Sequence, residues 1–152
     1  MEIILFEPEI PQNTGNVVRT CAVTGTRLTL VRPLGFSLSD RWLKRAGLDY
    51  WKEVEMAVID DLEAHLAEKG SRFFFFSSHA KAHYTSISFT PSDLCIFGSE
   101  TKGLPQPFFE KWNSLFFTIP MKAGARCLNL SNSVAIVLYE ALRQQNFILQ
   151  KG

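Results

Sequence analysis

Three polar segments follow apolar, β-prone runs along this chain, and their residue types suit a ligand site. The segments are "PEIPQNTGNVVRT" (8–20), "GSETKGLP" (98–105) and "AGARCLNLSNS" (123–133). If the runs are parallel strands, their carboxyl ends meet at one edge of the sheet, where ligands bind in open α/β folds. The abundance of Gly, Asn, Ser and Thr therefore predicts a site built mostly from backbone amides and carbonyls.

The third segment places four polar residues in front of an apolar helix, namely Asn129, Ser131, Asn132 and Ser133. A single side-chain oxygen suffices to cap an unpaired first-turn amide. A turn that folds tightly around a flat polar ligand also needs side chains that bond their own backbone, as Asn and Ser do. Spacing alone favours neither interpretation. Gly98 and Gly103 likewise permit close backbone approach or positive φ, or serve as ordinary turn glycines.

The spacing of other polar residues excludes several familiar sites. Lys102 precedes the second glycine of "GSETKGLP" and no Ser or Thr follows that glycine, so the segment is not a phosphate-binding P-loop. No G-x-G-x-x-G follows the first strand, and Ser99 lacks the glycines of a nucleophile elbow. His79 and His83 stand four positions apart in a loop-like segment without a third ligand. We interpret them as surface histidines and expect no metal site.

Short apolar runs predict six β-strands, at residues 3–6, 27–31, 56–59, 72–76, 94–98 and 115–119. Glycines that end helices place three candidate helices between them, at residues 13–24, 40–46 and 60–69, and a short helix is expected near 105–112. The last helix carries an apolar stripe of Val134, Ala135, Val137, Leu138, Ala141 and Leu142. Strands and helices that alternate in this way predict an α/β fold with a parallel sheet.

Composition restricts the kind of protein. The 152 residues, with 46% hydrophobic side chains, suffice for one domain spanning residues 1–152. The net charge of +1 leaves the partner open, so any basic surface must come from local clustering. Three widely spaced cysteines argue against a disulfide framework and fit a reducing compartment. With no signal-peptide-like start and no apolar run long enough for a membrane span, we expect a cytoplasmic protein.

Taken together, the polar segments resemble the motifs of a known enzyme superfamily. The three motifs are "NTGNVVRTC" (13–21), "FGSETKGLP" (97–105) and "IPMKAGARCLNLSNSVAIVLYEA" (119–141). In this order and spacing they resemble the SPOUT superfamily of RNA methyltransferases, and within it the SpoU-like ribose 2′-O-methyltransferases. The segment "PLGFSLSDRWLKRAGLDYW" (33–51) is similar to the short YibK/TrmL type, which methylates the wobble nucleotide of certain tRNAs.

The resemblance implies an α/β domain whose C-terminal part forms a deep trefoil knot, a topology that is very rare. It implies that S-adenosylmethionine binds in the knot, with its adenine held by backbone groups of three loops. Matching the motifs puts Phe76, Gly98, Ile119 and Cys127 at cofactor-contact positions, and the cofactor-binding residues expected nearby are Gly103, Leu104, Met121, Leu128 and Ser131. Cys127 departs from the family pattern, in which serine is common.

We expect three catalytic residues, Arg19, Glu100 and Asn129, and the resemblance places the family's catalytic arginine at Arg19. Arg19 is a poor general base because a guanidinium stays protonated, so we expect it to orient the RNA phosphate and stabilise the developing oxyanion. Glu100 either positions Arg19 or faces the sulfonium, or is a charge near the start of the 105–112 helix. Asn129 holds the ribose hydroxyl or only caps the last helix.

A basic cluster of Arg32, Arg41, Lys44 and Arg45 is the expected RNA side. Arg41, Lys44 and Arg45 share a face if that segment is helical, and we expect them to contact the RNA. Nearby Trp42, Tyr50 and Trp51 are planar groups that stack on unpaired bases of an anticodon loop, unless they are buried aromatics under a solvated helix. The short type has no separate RNA-binding domain, so the resemblance implies a homodimer packed through helices 13–24 and 131–146.

The resulting functional hypothesis is methyl transfer from S-adenosylmethionine to the ribose 2′-hydroxyl of a wobble cytidine or modified uridine in tRNA. One alternative is a SpoU-like enzyme that acts on rRNA or on another tRNA position. The other is a catalytically silent RNA-binding protein. The joint presence of Arg19, Glu100 and Asn129 argues against silence, because a binding module needs no residues at the reacting hydroxyl.

Overall fold

A parallel β-sheet forms the centre of the molecule. The computed structural model describes residues 1–39, 41, 45 and 48–148. The strands are β1 (Glu2–Phe6), β2 (Arg27–Val31), β3 (Met56–Ile59), β4 (Phe73–Phe76), β5 (Ala82–His83), β6 (Leu94–Phe97) and β7 (Phe116–Thr118). Their spatial order is β3-β2-β1-β6-β4-β7-β5, and every neighbouring pair is parallel. The six predicted strands and the α/β class are confirmed. The two-residue β5 was not predicted, because no apolar run marks it in the sequence.

The described residues contain four α-helices beside the sheet, namely α1 (Pro11–Thr24), α2 (Leu62–Lys69), α3 (Gln106–Lys111) and α4 (Leu130–Gln144). Short 3-10 turns occupy Leu48–Lys52, Tyr84–Ser86 and Asn113–Leu115. Gly25 (φ 66°) and Gly70 (φ 58°) end α1 and α2 in the left-handed conformation that glycine adopts without strain, as the sequence predicts. The predicted helix at 40–46 lies mostly outside the described residues.

Helices cover both faces of the sheet because alternate strand residues point to opposite sides. Ile3, Leu5 and Phe97 face the side where α1 and α4 pack, and the apolar stripe of α4 is buried there, with Ala135 only half-buried. Ile4, Phe75 and Ile96 face the other side, where α2 and α3 pack. Strands covered on both faces can be apolar throughout, which explains the continuous "FFFF" of β4.

The order of the strands differs from their order in the chain, and this determines where loops meet. β4 lies between β6 and β7 although it precedes both in sequence. The loops that leave the carboxyl ends of these three strands are therefore neighbours at one edge of the sheet. β1 lies beside β6, so the segment that leads into α1 reaches the same edge.

Candidate active site

The loop after β6 folds back on itself through two glycines with different tasks. Ser99 and Gly103 exchange backbone hydrogen bonds at 3.2 and 3.0 Å, and Ser99 Oγ accepts from the amide of Lys102. A Cβ on Gly98 would lie 2.3 Å from the carbonyl carbon of Gly103, so only glycine permits this approach. Gly103 has φ +66°, where other residues are strained. From sequence, these glycines could permit close backbone approach or positive φ, or serve as ordinary turn glycines. The structure shows close approach at Gly98 and positive φ at Gly103.

Glu100 lies at the start of α1, not at the 105–112 helix considered from sequence. Its carboxylate accepts hydrogen bonds from the backbone amides of Glu9 (2.8 Å) and Ile10 (3.1 Å). The capping residue of α1, Ile10, has no side chain that can do this, so a carboxylate about ninety positions away takes its place. Negative charge at a helix N-terminus is favoured by the helix dipole. Glu100 thereby ties the second motif to the first.

Asn13 extends this connection to the third motif. Its side-chain amide donates to Glu100 Oε1 at 3.1 Å, and its Oδ1 accepts from Asn129 Nδ2 at 2.8 Å. Asn129 Oδ1 in turn caps α4, since it accepts from the amides of Ser131 (2.9 Å) and Asn132 (3.3 Å) and from Ser131 Oγ (2.6 Å). Asn13 is nearly buried. Asn129 is therefore a cap and also a link between motifs, so the polar turn serves more than its own helix.

A cavity of about 410 Å³ opens beside this network. Its size lies in the range of about 300–1,000 Å³ that is usual for small-molecule sites. Most of the predicted site residues line it, namely Phe76, Gly98, Glu100, Gly103, Leu104, Ile119, Met121, Cys127, Leu128 and Asn129. Ser131 does not line the cavity and instead supports Asn129 from within the first turn of α4.

The structure adds lining residues that the sequence did not single out. They include Asn13 and, in the loop after β4, Ser77 and Ser78, together with His79, which the sequence indicated only as a surface histidine. The first motif contains Asn13, but nothing in its spacing showed that the side chain turns toward Asn129. The loop after β4 follows an apolar strand in the same way as the other three segments, so its position at a strand end was the signal that could have identified it.

Arg19 is not among the residues of this chain that line the cavity. It lies on the exposed face of α1, with its guanidinium carbon 5.6 Å from the ring centroid of Tyr50. It lies six positions after Asn13 in the helix, which corresponds to about 9 Å along the axis. Arg19 and Glu100 are joined by no hydrogen bond or ion pair among the described residues. The structure thus separates Arg19 from the cavity that contains Glu100 and Asn129.

The three cysteines differ in their surroundings. Cys21 and Cys95 are fully buried, and burial raises the pKa of both thiols, that of Cys21 to about 12. Cys127 is exposed in the cavity wall, and its Sγ lies 3.2 Å from Ser78 Oγ. All three thiols are free. The side chain of Cys127 therefore connects the loop after β4 with the loop after β7.

The predicted RNA-contact cluster is described only in part. Arg41 and Arg45 are exposed, whereas Lys44 and Trp42 lie outside the described residues. Tyr50 and Trp51 are half-buried against the core below α1. His79 and His83 are exposed, and no group of three or more potential metal ligands occurs in the described ranges. Nor does the described part of the chain contain a helix with the length and apolar character of a membrane span.

Comparison with known proteins agrees with the motif geometry. The model of the SpoU rRNA Methylase family matches residues 1–139. The chain belongs to this family. Among its relatives, a tRNA (cytidine(34)-2′-O)-methyltransferase of Methylovorus glucosotrophus is 48% identical over 148 residues, covering 96% of both chains. A protein of the same name from Burkholderia ambifaria is 47% identical over 149 residues, covering 95% of this chain and 96% of the relative.

Solved structures of similar proteins have the same fold. One, described as giving structural insights into the 2-OH methylation of C/U34 on tRNA, has a TM-score of 0.90 at 43% identity and covers 95% of both chains. The SpoU methyltransferase AviRb from Streptomyces viridochromogenes, solved in complex with the cofactor AdoMet, has a TM-score of 0.80 at 23% identity. It covers 96% of this chain and 60% of that one, and at this identity it supports the fold alone.

Proposed function

We propose that this protein is an S-adenosylmethionine-dependent methyltransferase that modifies the ribose 2′-hydroxyl of the wobble nucleotide, cytidine or modified uridine, in tRNA. The observation that carries the proposal is the hydrogen-bonded chain from Glu100 through Asn13 to Asn129. It brings all three motifs together on the wall of one cavity. Relatives named for this activity cover nearly the whole chain, which favours tRNA over rRNA as the substrate.

The cavity has properties that suit S-adenosylmethionine. Gly98 lets the loop after β6 pack against the backbone of Gly103, while Phe76, Leu104 and Ile119 provide apolar walls. Backbone groups of the loops after β6 and β7 would hold the adenosine, and the carboxylate of Glu100 gives the wall a negative charge that suits a sulfonium cation. When bound, the cofactor supplies the electrophilic methyl group.

The contribution of this chain to catalysis is alignment, exclusion of water and stabilisation of charge. Methyl transfer to a hydroxyl requires the oxygen, the methyl carbon and the sulfur in line, which rigid loops favour. The network of Glu100, Asn13 and Asn129 makes the loops rigid because every link spans two motifs. We assign Arg19 to the RNA phosphate and the developing oxyanion, since a guanidinium donates hydrogen bonds but does not accept a proton.

Two architectural features belong to the same proposal. The single domain of residues 1–152 is inferred to form a deep trefoil knot in its C-terminal part, which accords with the position of β4 between β6 and β7. We also propose a homodimer formed through α1 and α4. Val23 on α1 is 51% exposed, and Tyr139 and Ile136 on α4 are 48% and 36% exposed. Burial of these apolar side chains against a second copy removes them from water.

Arg19 lies on the same exposed face of α1 as Val23, so it belongs to the surface that the second copy would cover. In this arrangement Arg19 reaches a reaction site formed by two chains. Arg41, Lys44 and Arg45 are proposed to contact the anticodon loop of the tRNA in the cytoplasm. Charge reversal at Lys44 and Arg45 is expected to weaken tRNA binding and to leave cofactor affinity unchanged.

The experiment that tests this function is the mapping of 2′-O-methyl groups after purified protein is incubated with labelled S-adenosylmethionine and bulk tRNA. Label at the wobble ribose that disappears in Arg19→Ala supports both the substrate and the role of Arg19. Label at another position, or in rRNA, retains the enzyme class and rejects the wobble assignment. Cofactor binding without transfer, also on tRNA that carries its other modifications, would favour a silent RNA-binding protein.

A further inference from the structure

The distribution of unpaired cations gives a charge pattern that the net charge of +1 conceals. Away from the cavity, most cations are neutralised by carboxylates, in the pairs Arg27–Glu55, Arg32–Asp60, Lys69–Glu2, Arg72–Asp93, Lys111–Glu63 and Arg143–Glu140. Lys81, Lys102, Lys122 and Arg126 form no such pair within the described residues. All four lie in the loops at the carboxyl edge of the sheet. Cations without a carboxylate partner are thus concentrated at this edge, where the carboxylates of Glu9 and Glu100 bond Thr101 and the start of α1 instead.

Two of these lysines line a second depression, of about 500 Å³. We call it the basic groove and define it by the segment 78–83 on one side and the segment 118–127 on the other. Lys81, His79 and His83 come from the first segment, and Lys122 comes from the second. None of the described residues that line it is acidic. The groove therefore offers several donors and positive charge, and no carboxylate that would repel an anion.

The basic groove is continuous with the cofactor cavity. The two share Ser78, His79, Thr118, Ile119, Met121 and Cys127 in their walls. At this junction, the hydrogen bond between Ser78 and Cys127 links the loop after β4 to the loop after β7. Lys81, His83 and Lys122 are exposed, so an anion in the groove stays accessible from solvent while it lies beside the cavity. This arrangement suits a polymer that passes the site better than an enclosed small molecule.

We propose that the basic groove binds the phosphodiester backbone of the tRNA strand next to the nucleotide that enters the cavity. The proposal rests on the function proposed above and assigns to Lys81 and Lys122 the role of phosphate contacts. Lysine binds phosphate as a point charge without reading the base, which suits a contact that positions a strand. The carboxylate of the cofactor's amino-acid part is an anion of similar chemistry, and the test distinguishes the two.

The test compares Lys81→Gln, Lys122→Gln and the double variant with the wild-type chain. The matched control is Arg27→Gln, which removes one positive charge at the start of β2, on the opposite edge of the sheet. Affinity for a fluorescent tRNA transcript with cytidine at the wobble position is measured over a series of KCl concentrations. Affinity for S-adenosylmethionine is measured by calorimetry on the same preparations, and also shows that each variant is folded.

Each lysine substitution is expected to weaken tRNA binding and to lower the slope of log affinity against log salt by about 0.7, the value for one phosphate contact on a single strand. The control keeps the wild-type slope, and cofactor affinity is unchanged throughout. Wild-type slopes in the lysine variants overturn the proposal. Loss of cofactor affinity with unchanged tRNA affinity also overturns it and assigns the groove to the cofactor carboxylate.

The experiment gives different results if the groove proposal is wrong and if the proposed methyl-transfer function is wrong. If the wild-type chain methylates the wobble ribose and the lysine variants bind tRNA as it does, only the groove is rejected. If the wild-type chain binds tRNA without methylating it and the lysine variants lower the slope, the groove is supported and the methyl-transfer function is rejected.

Discussion

Asn129 Nδ2 donates a hydrogen bond to Asn13 Oδ1 at 2.8 Å, across 116 positions of sequence. The bond joins the start of α4 to the first turn of α1. Asn13 also donates to Glu100, so one nearly buried amide contacts both of the other motifs. Removing one partner of a half-buried hydrogen bond leaves the other polar group unpaired, which costs more free energy than the bond itself contributes. The three residues therefore act as a unit.

Replacement of Asn13 by alanine should therefore affect stability and the cofactor site together. Asn129 loses an acceptor and Glu100 loses a donor in a partly buried region, at a cost of about 1–3 kcal/mol. We expect a lower melting temperature and weaker S-adenosylmethionine binding, measured by thermal denaturation and calorimetry. The matched control is Gln12→Ala, one position earlier on the exposed face of α1. Wild-type cofactor affinity in Asn13→Ala would show that the network is not needed for the site.

Gly98→Ala tests the close approach within the loop after β6. The added Cβ would lie 2.3 Å from the carbonyl carbon and 2.6 Å from the oxygen of Gly103, so the backbone must move. Overpacking of this kind costs about 1–3 kcal/mol, and the displaced backbone belongs to the cavity wall. Cofactor affinity should fall by about tenfold, which is the effect of 1.4 kcal/mol.

The control for this variant is Gly70→Ala. Gly70 has φ +58° at the end of α2, and a Cβ there meets nothing within 4 Å. The substitution Gly70→Ala should lower the stability of the protein through backbone strain, while cofactor binding stays at the wild-type level. Equal loss of cofactor affinity in both variants would contradict a specific role of the Gly98 contact.

Thiol labelling should distinguish Cys127 from the two other cysteines. In the native protein only the exposed Cys127 is expected to react with a disulfide reagent, because burial raises the pKa of Cys21 to about 12 and excludes the reagent. Saturating S-adenosylmethionine should slow the reaction, since Cys127 lines the cavity. The measurement is absorbance of the released thiolate with and without cofactor. Labelling of Cys127 at the same rate in both conditions would argue against cofactor contact at this position.

A buried carboxylate at the start of β1 predicts how stability depends on pH. Burial alone would raise the pKa of Glu2, but hydrogen bonds from Thr29 (2.7 Å) and His65 (2.8 Å) and the nearby Lys69 charge lower it below its ordinary 4.5. Because its pKa is lower in the folded state, ionised Glu2 stabilises the protein at pH values above about 4.5. This stabilisation is lost as the pH falls through the pKa of the folded state.

The free energy of unfolding, measured by urea titration, should therefore decrease as pH falls below about 4.5. In Glu2→Gln this part of the decrease should be absent. Glu63→Gln is the control, because Glu63 forms an exposed pair with Lys111 that contributes little. A wild-type pH profile in Glu2→Gln would show that other carboxylates account for the acid sensitivity.

Local features of this molecule were predictable because they depend on residues a few positions apart. Apolar runs indicated the strands, Gly25 and Gly70 indicated the ends of α1 and α2, and Asn129 indicated the start of α4. The family motifs also led to most of the cavity wall, since ten of the predicted site residues line it. In each case the deciding interaction is a backbone preference or a bond within one helical turn.

The connections between motifs were decided by the tertiary structure. Glu100 and Asn13 are 87 positions apart, and an isolated carboxylate in the sequence does not show which helix it will cap. The loop after β4 joined the site only because β4 lies between β6 and β7, and apolar strands pair equally well in several orders. Sequence therefore determined the elements and the chemical groups. The strand order determined which groups meet, because contacts over such separations depend on the packing of the whole sheet.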